Sequence, residues 1–174
     1  MPARSLRIVG RRAFLGSLLA VPLAASARTK RLPMIERLLV VKRERCLYAF
    51  VGSRLVATFR VALGRQPYGP KIQEGDGRTP EGYYFVDGFI PNSDFYRAIS
   101  ISYPNREDRE RARRLGVDPG GQIMIHGLDP AIPPEFRQSH WLFNWTNGCI
   151  AVRDDEMDLL WDSVRWGTPV EIRP

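Results

Sequence analysis

Apolar and polar positions alternate with a period of two over much of the chain, the spacing of strands that bury one face. Ile35–Lys42, Cys46–Val51 and Leu55–Leu63 read as three such strands, with Gly52-Ser53 as a tight hairpin turn between the last two. A two-residue turn sets Val51 opposite Arg54 and, carried along the ladder, Cys46 opposite Phe59. That register puts Cys46, Tyr48, Phe50, Leu55 and Ala57 on one apolar face, so Cys46 is expected to be a buried, inert core thiol. Gly64–Gly82 is rich in glycine, proline and charge and reads as loop. Gly82–Phe89, Arg97–Ser102, Gln122–Ile125, Cys149–Val152 and Thr168–Ile172 are further strands.

Helical spacing appears twice. Asn105 suits the N-cap of a charged helix over Arg106–Leu115, with Gly116 past its end, and its arginines and acids are expected to form a solvated face. Asp154 or Asp155 caps a second helix running to about Arg165, with Met157, Leu159, Leu160 and Trp161 as its buried side. Leu128–Asn144 reads as a long loop with three prolines. The pattern predicts a mainly β, α+β domain with two short helices.

The first residues read differently. Arg4, Arg7, Arg11 and Arg12 precede an apolar run from Ala13 to Leu23, no acid occurs before residue 28, and Ala25-Ser26-Ala27 has the form of a signal-peptidase site. Residues 1–27 are therefore expected to be an export signal, with Gly10-Arg11-Arg12-Ala13-Phe14-Leu15 resembling a twin-arginine signal; an uncleaved anchor is the alternative. Residues 28–34 read as a linker and 35–174 as the folded domain. Taking the leader's four arginines from 26 basic residues leaves 22 against 19 acidic, so the formal charge of +7 falls to +3. That balance, without an aromatic-interleaved basic stripe, gives no reason to expect nucleic acid as a partner. No metal-type Cys/His spacing is present, and no metal or cofactor is expected.

The candidate chemistry lies in the last third. Cys149, one of two cysteines, follows Asn147-Gly148, and His126, one of two histidines, precedes Gly127. A thiol becomes a strong nucleophile on ionising, and a nearby imidazole is the usual means near neutral pH. Cys149 then reads as the nucleophile of an acyl transfer and His126 as its general base. The backbone N–H groups around Asn147 and Gly148 are candidate oxyanion donors. A third group should orient the imidazole, and a backbone carbonyl in the 144–148 turn is the expectation. The competing readings are a satisfied core histidine at 126 and a Cys46–Cys149 disulfide, which an oxidising compartment would permit.

Ile125-His126-Gly127, then Thr146-Asn147-Gly148-Cys149-Ile150-Ala151-Val152, resembles the signature of the L,D-transpeptidase catalytic domain family (YkuD-like). Ala62-Leu63-Gly64-Arg65, Gly75-Asp76-Gly77-Arg78-Thr79-Pro80-Glu81-Gly82 and Ile101-Ser102-Tyr103-Pro104-Asn105 match in the same order. Commoner members have a histidine before the Gly-Cys and an arginine after the following isoleucine. Here Asn147 and Ala151 stand there, and the Asn144-Trp145-Thr146 lead-in is similar to a subgroup that includes an amidase releasing wall-bound lipoprotein from peptidoglycan.

The resemblance implies a β-sandwich or mixed sheet, an exported enzyme of the periplasm or cell wall, and peptidoglycan stem peptides as substrate. The acyl donor would be a tetrapeptide cut between the L-centre of diaminopimelate and the terminal D-alanine. The acyl group would pass to an amine on a neighbouring stem, to a protein lysine such as that of a wall-anchored lipoprotein, or to water in a hydrolase. Arg78 is a candidate carboxylate binder, with a loop-ordering arginine as the alternative. Gly127, Tyr103, Trp145 and Thr146 are candidate cleft residues, Tyr103 and Trp145 being equally readable as core. His140 either shapes the acceptor pocket or is structural, the structural role being favoured. A non-catalytic peptidoglycan-binding domain is the reading from another class, and a monomer is expected.

Overall fold

The computed structural model describes residues 31–174, so the expected export signal and the first part of the linker lie outside the described residues. Eight strands form one mixed sheet: β1 (Arg37–Val41), β2 (Cys46–Val51), β3 (Arg54–Arg60), β4 (Gly82–Ser93), β5 (Tyr96–Ile101), β6 (Met124–His126), β7 (Ile150–Ala151) and β8 (Pro169–Arg173). Their spatial order is β3-β2-β1-β8-β4-β5-β6-β7. Pairing is antiparallel except for β1 with β8 and β6 with β7. Two helices complete the domain, α1 (Arg106–Leu115) and α2 (Asp154–Ser163). The expected mainly β, mixed-sheet class is what the chain adopts.

The sheet curls round until its two edges meet. After Arg60 the chain leaves β2 and crosses to β7, where Ala62 and Ala151 exchange hydrogen bonds of 3.0 and 2.9 Å. Farther on, Thr146 N–H donates to Leu63 O at 3.2 Å and Arg65 N–H to Thr146 O at 3.0 Å. The third strand therefore ends at Arg60 rather than Leu63, because residues 62–65 bond to the opposite edge. Long β4 belongs to both halves, pairing with β8 over Gly82–Phe85 and with β5 over Val86–Ser93. Leu38, Leu47, Ile99, Ile125, Ile150 and Leu160 fill the enclosed core at 0% exposure.

The first hairpin corrects the expected register. Val51 faces Arg54 and Phe50 faces Leu55, but Ala49 then faces Ala57, leaving Val56 as the extra residue of a bulge. Beyond it every pair slips by one, so Cys46 faces Arg60 and Leu47 faces Phe59. The core face is accordingly Leu47, Ala49 and Phe59, while Leu55 is exposed. Cys46 is buried at the strand's end on the other face, its thiol 3.4 Å from Glu44 O.

The α1 helix is capped as its sequence specifies. Asn105 accepts from Asp108 N–H at 3.0 Å, Asp108 returns a bond to Asn105 N–H at 3.1 Å, and Gly116 closes the end with φ 69°. The N-cap of α2 is Arg153 instead of an aspartate; its N–H donates to Glu156 at 3.1 Å. Asp154 is drawn elsewhere, with consequences for the site. Met157 and Leu160 are fully buried, whereas Leu159 and Trp161 are half-buried. The proline-rich stretch after β6 forms a 3-10 helix over Pro134–Leu142, since prolines at 133 and 134 preset φ for its first turn.

Candidate active site

Parallel pairing of β6 with β7 brings His126 and Cys149 together. Ile125 lies opposite Ile150 and His126 opposite Ala151, so Cys149, one residue before β7, is level with Met124. Ile125 and Ile150 point into the core, and by alternation His126, Met124 and Cys149 project from the other face. Both candidates line one cleft of about 340 Å³, with Trp145, Phe95, Arg65 and Asp129 among its walls.

The imidazole is held on three sides. Its Nδ1 lies 2.7 Å from the carbonyl oxygen of Gly127, and a carbonyl only accepts, so Nδ1 carries the hydrogen and Nε2 keeps its lone pair. The orienting group is thus Gly127 O, not a carbonyl of the 144–148 turn. The Phe95 ring lies 4.7 Å from the imidazole at 31°, and Trp145 meets it edge-on at 5.6 Å. Gly127 fits because it lacks a side chain: a Cβ there would lie 2.6 Å from Asp154 Oδ1 and 2.9 Å from Phe95 O. Asp154 accepts from Leu128 N–H at 2.8 Å and pairs with Arg137 at 3.3 Å, fixing the chain that leaves His126. This is why Asp154 does not cap its own helix.

The turn carrying Cys149 is built by Thr146. Buried Thr146 donates its hydroxyl to Cys149 O at 2.7 Å and accepts from Gly148 N–H at 3.2 Å. Gly148 is therefore removed from the expected oxyanion donors. The Asn147 and Cys149 N–H groups donate to no protein acceptor among the described residues. Gly148 takes φ +133°, and a Cβ there would meet Arg78 O at 2.7 Å. The Asn147 side chain accepts from Arg65 Nη1 at 2.6 Å.

Cys149 Sγ lies 3.5 Å from Gln122 O. Burial pushes its thiol above the ordinary 9.0, opposed by a Met124 backbone N–H and by the Lys71 charge. Burial likewise holds His126 below the ordinary 6.5, opposed by its bond to Gly127 and by Asp129. Both shifts disfavour a resting thiolate–imidazolium pair. Iodoacetamide alkylation of Cys149 is accordingly expected to keep rising as pH passes 9, without a plateau near neutrality. A rate that levels off between pH 6 and 7 would instead reveal a preformed ion pair.

A second cleft of about 430 Å³ opens on the other side of Cys149, lined by Lys71, Glu74, Gly120, Gly121 and Gln122 among others. Its loop is organised by Asp76, which accepts from Lys71 at 2.8 Å, Ile72 N–H at 2.7 Å and Arg78 N–H at 3.0 Å. Buried Lys42 anchors the same loop on Gly69 O, Thr79 O and Glu81. A larger cavity of about 810 Å³ lies between Leu32 and α2; three aspartates and Ser163 are among its lining, and it shares no residue with these clefts.

Other expected site residues separate. Trp145, Thr146 and Asn147 line the His126 cleft, but Arg78 lines neither, its guanidinium lying against Gly69. Tyr103 belongs to the core, its hydroxyl donating to Pro119 O at 2.8 Å. Arg65 and Lys71 were not legible as site residues, since neither has a local pattern that separates it from other loop cations. Both cysteines are free.

His140 is buried and lines neither cleft. Neither ring nitrogen has a partner among the described residues, and the same holds for Asn144 Oδ1 and Trp145 Nε1. Burial first, then the Arg153 and His126 charges, pushes His140 down to about 4. Its unfolded form takes up a proton near 6.5 and its folded form only near 4, so stability is lost as pH falls between those values. The loss approaches roughly 3 kcal/mol. His140→Phe is expected to flatten that acid slope in urea titrations at pH 7 and pH 4.5; an unchanged slope would refute the assignment.

The model of the L,D-transpeptidase catalytic domain matches residues 35–172, nearly the whole described chain. The chain belongs to that family. Within it, this L,D-transpeptidase domain is 34% identical over 94 residues to YafK of Escherichia coli (strain K12), a match covering 51% of this chain and 36% of YafK. It thus spans about a third of that curated relative. Among solved structures it resembles the helical cell shape determining protein Pgp2 of Campylobacter jejuni, with TM-score 0.58 and 22% identity over 82% of this chain and 50% of that one. It also resembles an L,D-transpeptidase of Mycobacterium smegmatis, with TM-score 0.54 and 14% identity over 80% and 59% of the two chains. These structural likenesses establish the shared fold.

Proposed function

We propose that this domain is a peptidoglycan L,D-transpeptidase that forms a thioester on Cys149 with a stem tetrapeptide. The carrying observation is that Cys149 and His126 share a cleft, with His126 Nδ1 tied to Gly127 O so that Nε2 is free. In the first half-reaction His126 Nε2 takes the thiol proton as sulfur attacks the carbonyl carbon on the L-centre of diaminopimelate. The Asn147 and Cys149 N–H groups receive the developing oxyanion. The C–N bond then breaks and His126 returns the proton to the departing D-alanine amine. In the second half an amine loses its proton to His126, attacks the thioester and releases the sulfur.

Two clefts meeting at one sulfur suit a reaction with two peptide partners. The cleft lined by Lys71 and Gly120–Gln122 would take the donor stem, and the His126 cleft the amine side. A substrate in the cell wall fits the exported, periplasmic location read from the leader. The deciding experiment incubates purified protein with diaminopimelate tetrapeptide muropeptides and mass-analyses the products. Cross-linked dimers are expected. Monomeric tripeptides alone would make the enzyme a hydrolase, and unchanged substrate would refute the acyl-transfer reading.

A further inference from the structure

The His126 cleft carries opposite charges that do not neutralise each other. Arg65, Asp94 and Asp129 all line it, yet no ion pair joins Arg65 to either carboxylate among the described residues. Arg65 is fixed at both ends: its backbone N–H donates to Thr146 O at 3.0 Å, and its Nη1 to Asn147 Oδ1 at 2.6 Å. A guanidinium has five N–H donors, and that is the one side-chain bond it makes here, so the remaining donors face the cleft and solvent. Asp129 is fixed as well, accepting from Ala131 N–H at 2.8 Å.

We infer that this cleft is a subsite for α-amino carboxylates, in which Arg65 binds the carboxylate of both the leaving and the incoming amine. The inference rests on the reading of Cys149 and His126 given above. One base serves both halves of the reaction: it protonates the amine that leaves and deprotonates the amine that enters, so both must occupy His126's side of the sulfur. A terminal D-alanine leaves as an amine with a carboxylate one carbon away. The distal centre of diaminopimelate on a second stem enters with that same arrangement. A cation beside the base therefore contributes in both directions, and the carboxylates of Asp94 and Asp129 attract the ammonium form before its proton is lost. A lysine side-chain amine within a protein offers no carboxylate at that distance.

Arg65 acts on binding and orientation, not on bond making, so its loss should appear chiefly as lost preference for charge. Two pairs of probes isolate this: tetrapeptides ending in D-alanine or D-alanine amide, and free D-methionine or D-methionine amide as acceptors. Wild-type protein is expected to favour each carboxylate over its amide by about ten- to a hundredfold in kcat/KM, the range of a charge-assisted hydrogen bond. In Arg65→Gln both preferences should collapse towards one, whatever the residual rate.

Equal use of acid and amide by the wild type, or a preference surviving in Arg65→Gln, would overturn the inference. If water alone accepts the acyl group, the leaving-group pair still decides, through the rate of tripeptide release. Failure to acylate Cys149 with any tetrapeptide would instead refute the reading on which the subsite rests. Circular dichroism of both proteins shows that the variant is folded.

Discussion

Cys149→Ala is expected to leave muropeptides untouched, with turnover reduced by on the order of 10⁶-fold, the loss seen when a catalytic nucleophile is removed. The parent protein should gain the mass of one tripeptide acyl group when quenched in acid during turnover, and the variant none. Stability should hardly change, because the sulfur is half-buried and fills no core position. Cys46 gives the internal control. It is buried against Glu44 O, so Cys46→Ala should keep full acyl-enzyme formation. An acyl adduct at Cys46, or turnover by Cys149→Ala, would refute the assignment of the nucleophile.

Gly127→Ala should be the next most damaging change, although it removes nothing. The added methyl would meet Asp154 Oδ1 at 2.6 Å, Tyr96 Cβ at 2.8 Å and Phe95 O at 2.9 Å, all below van der Waals contact. Two of these belong to fixed structure, because Phe95 O is backbone and Asp154 is held by Leu128 N–H and Arg137. Residue 127 must therefore move, carrying the carbonyl that fixes His126 Nδ1. A shift near 1 Å at a catalytic group costs about a hundredfold in rate, and overpacking of this kind about 1–3 kcal/mol in stability. Thermal unfolding and muropeptide turnover measure the two effects. If turnover stays within threefold of the parent, the Gly127 carbonyl does not set the imidazole.

The strand–loop–helix outline was legible wherever local rules decide it. Asn105 and Gly116 bracket α1 because a cap and a left-handed terminus act within a few residues. The bulge at Val56 was not legible, since an inserted residue leaves the apolar alternation intact and shows only in the partner strand. Asp154 reads as a helix cap from sequence, yet its carboxylate is claimed by Leu128 N–H and Arg137, contacts made across 26 and 17 residues. His126 and Cys149 stood out because few residue types do their chemistry. Arg65 did not, because its meaning comes from Asn147, 82 positions away. Tyr103 illustrates the converse: a residue in a matching segment, readable as cleft or core from sequence, fills the core.

The stitch between residues 62–65 and 146–151 also governs when reactivity can arise. The cleft wall that Arg65 forms beside Cys149 is in place only after residues 62–65, in the second quarter of the polypeptide, have met its final thirty residues. A partly opened molecule keeps its sulfhydryl and imidazole level through β6 and β7 but lacks that wall. On the proposed mechanism, the site is complete only once the sheet has closed.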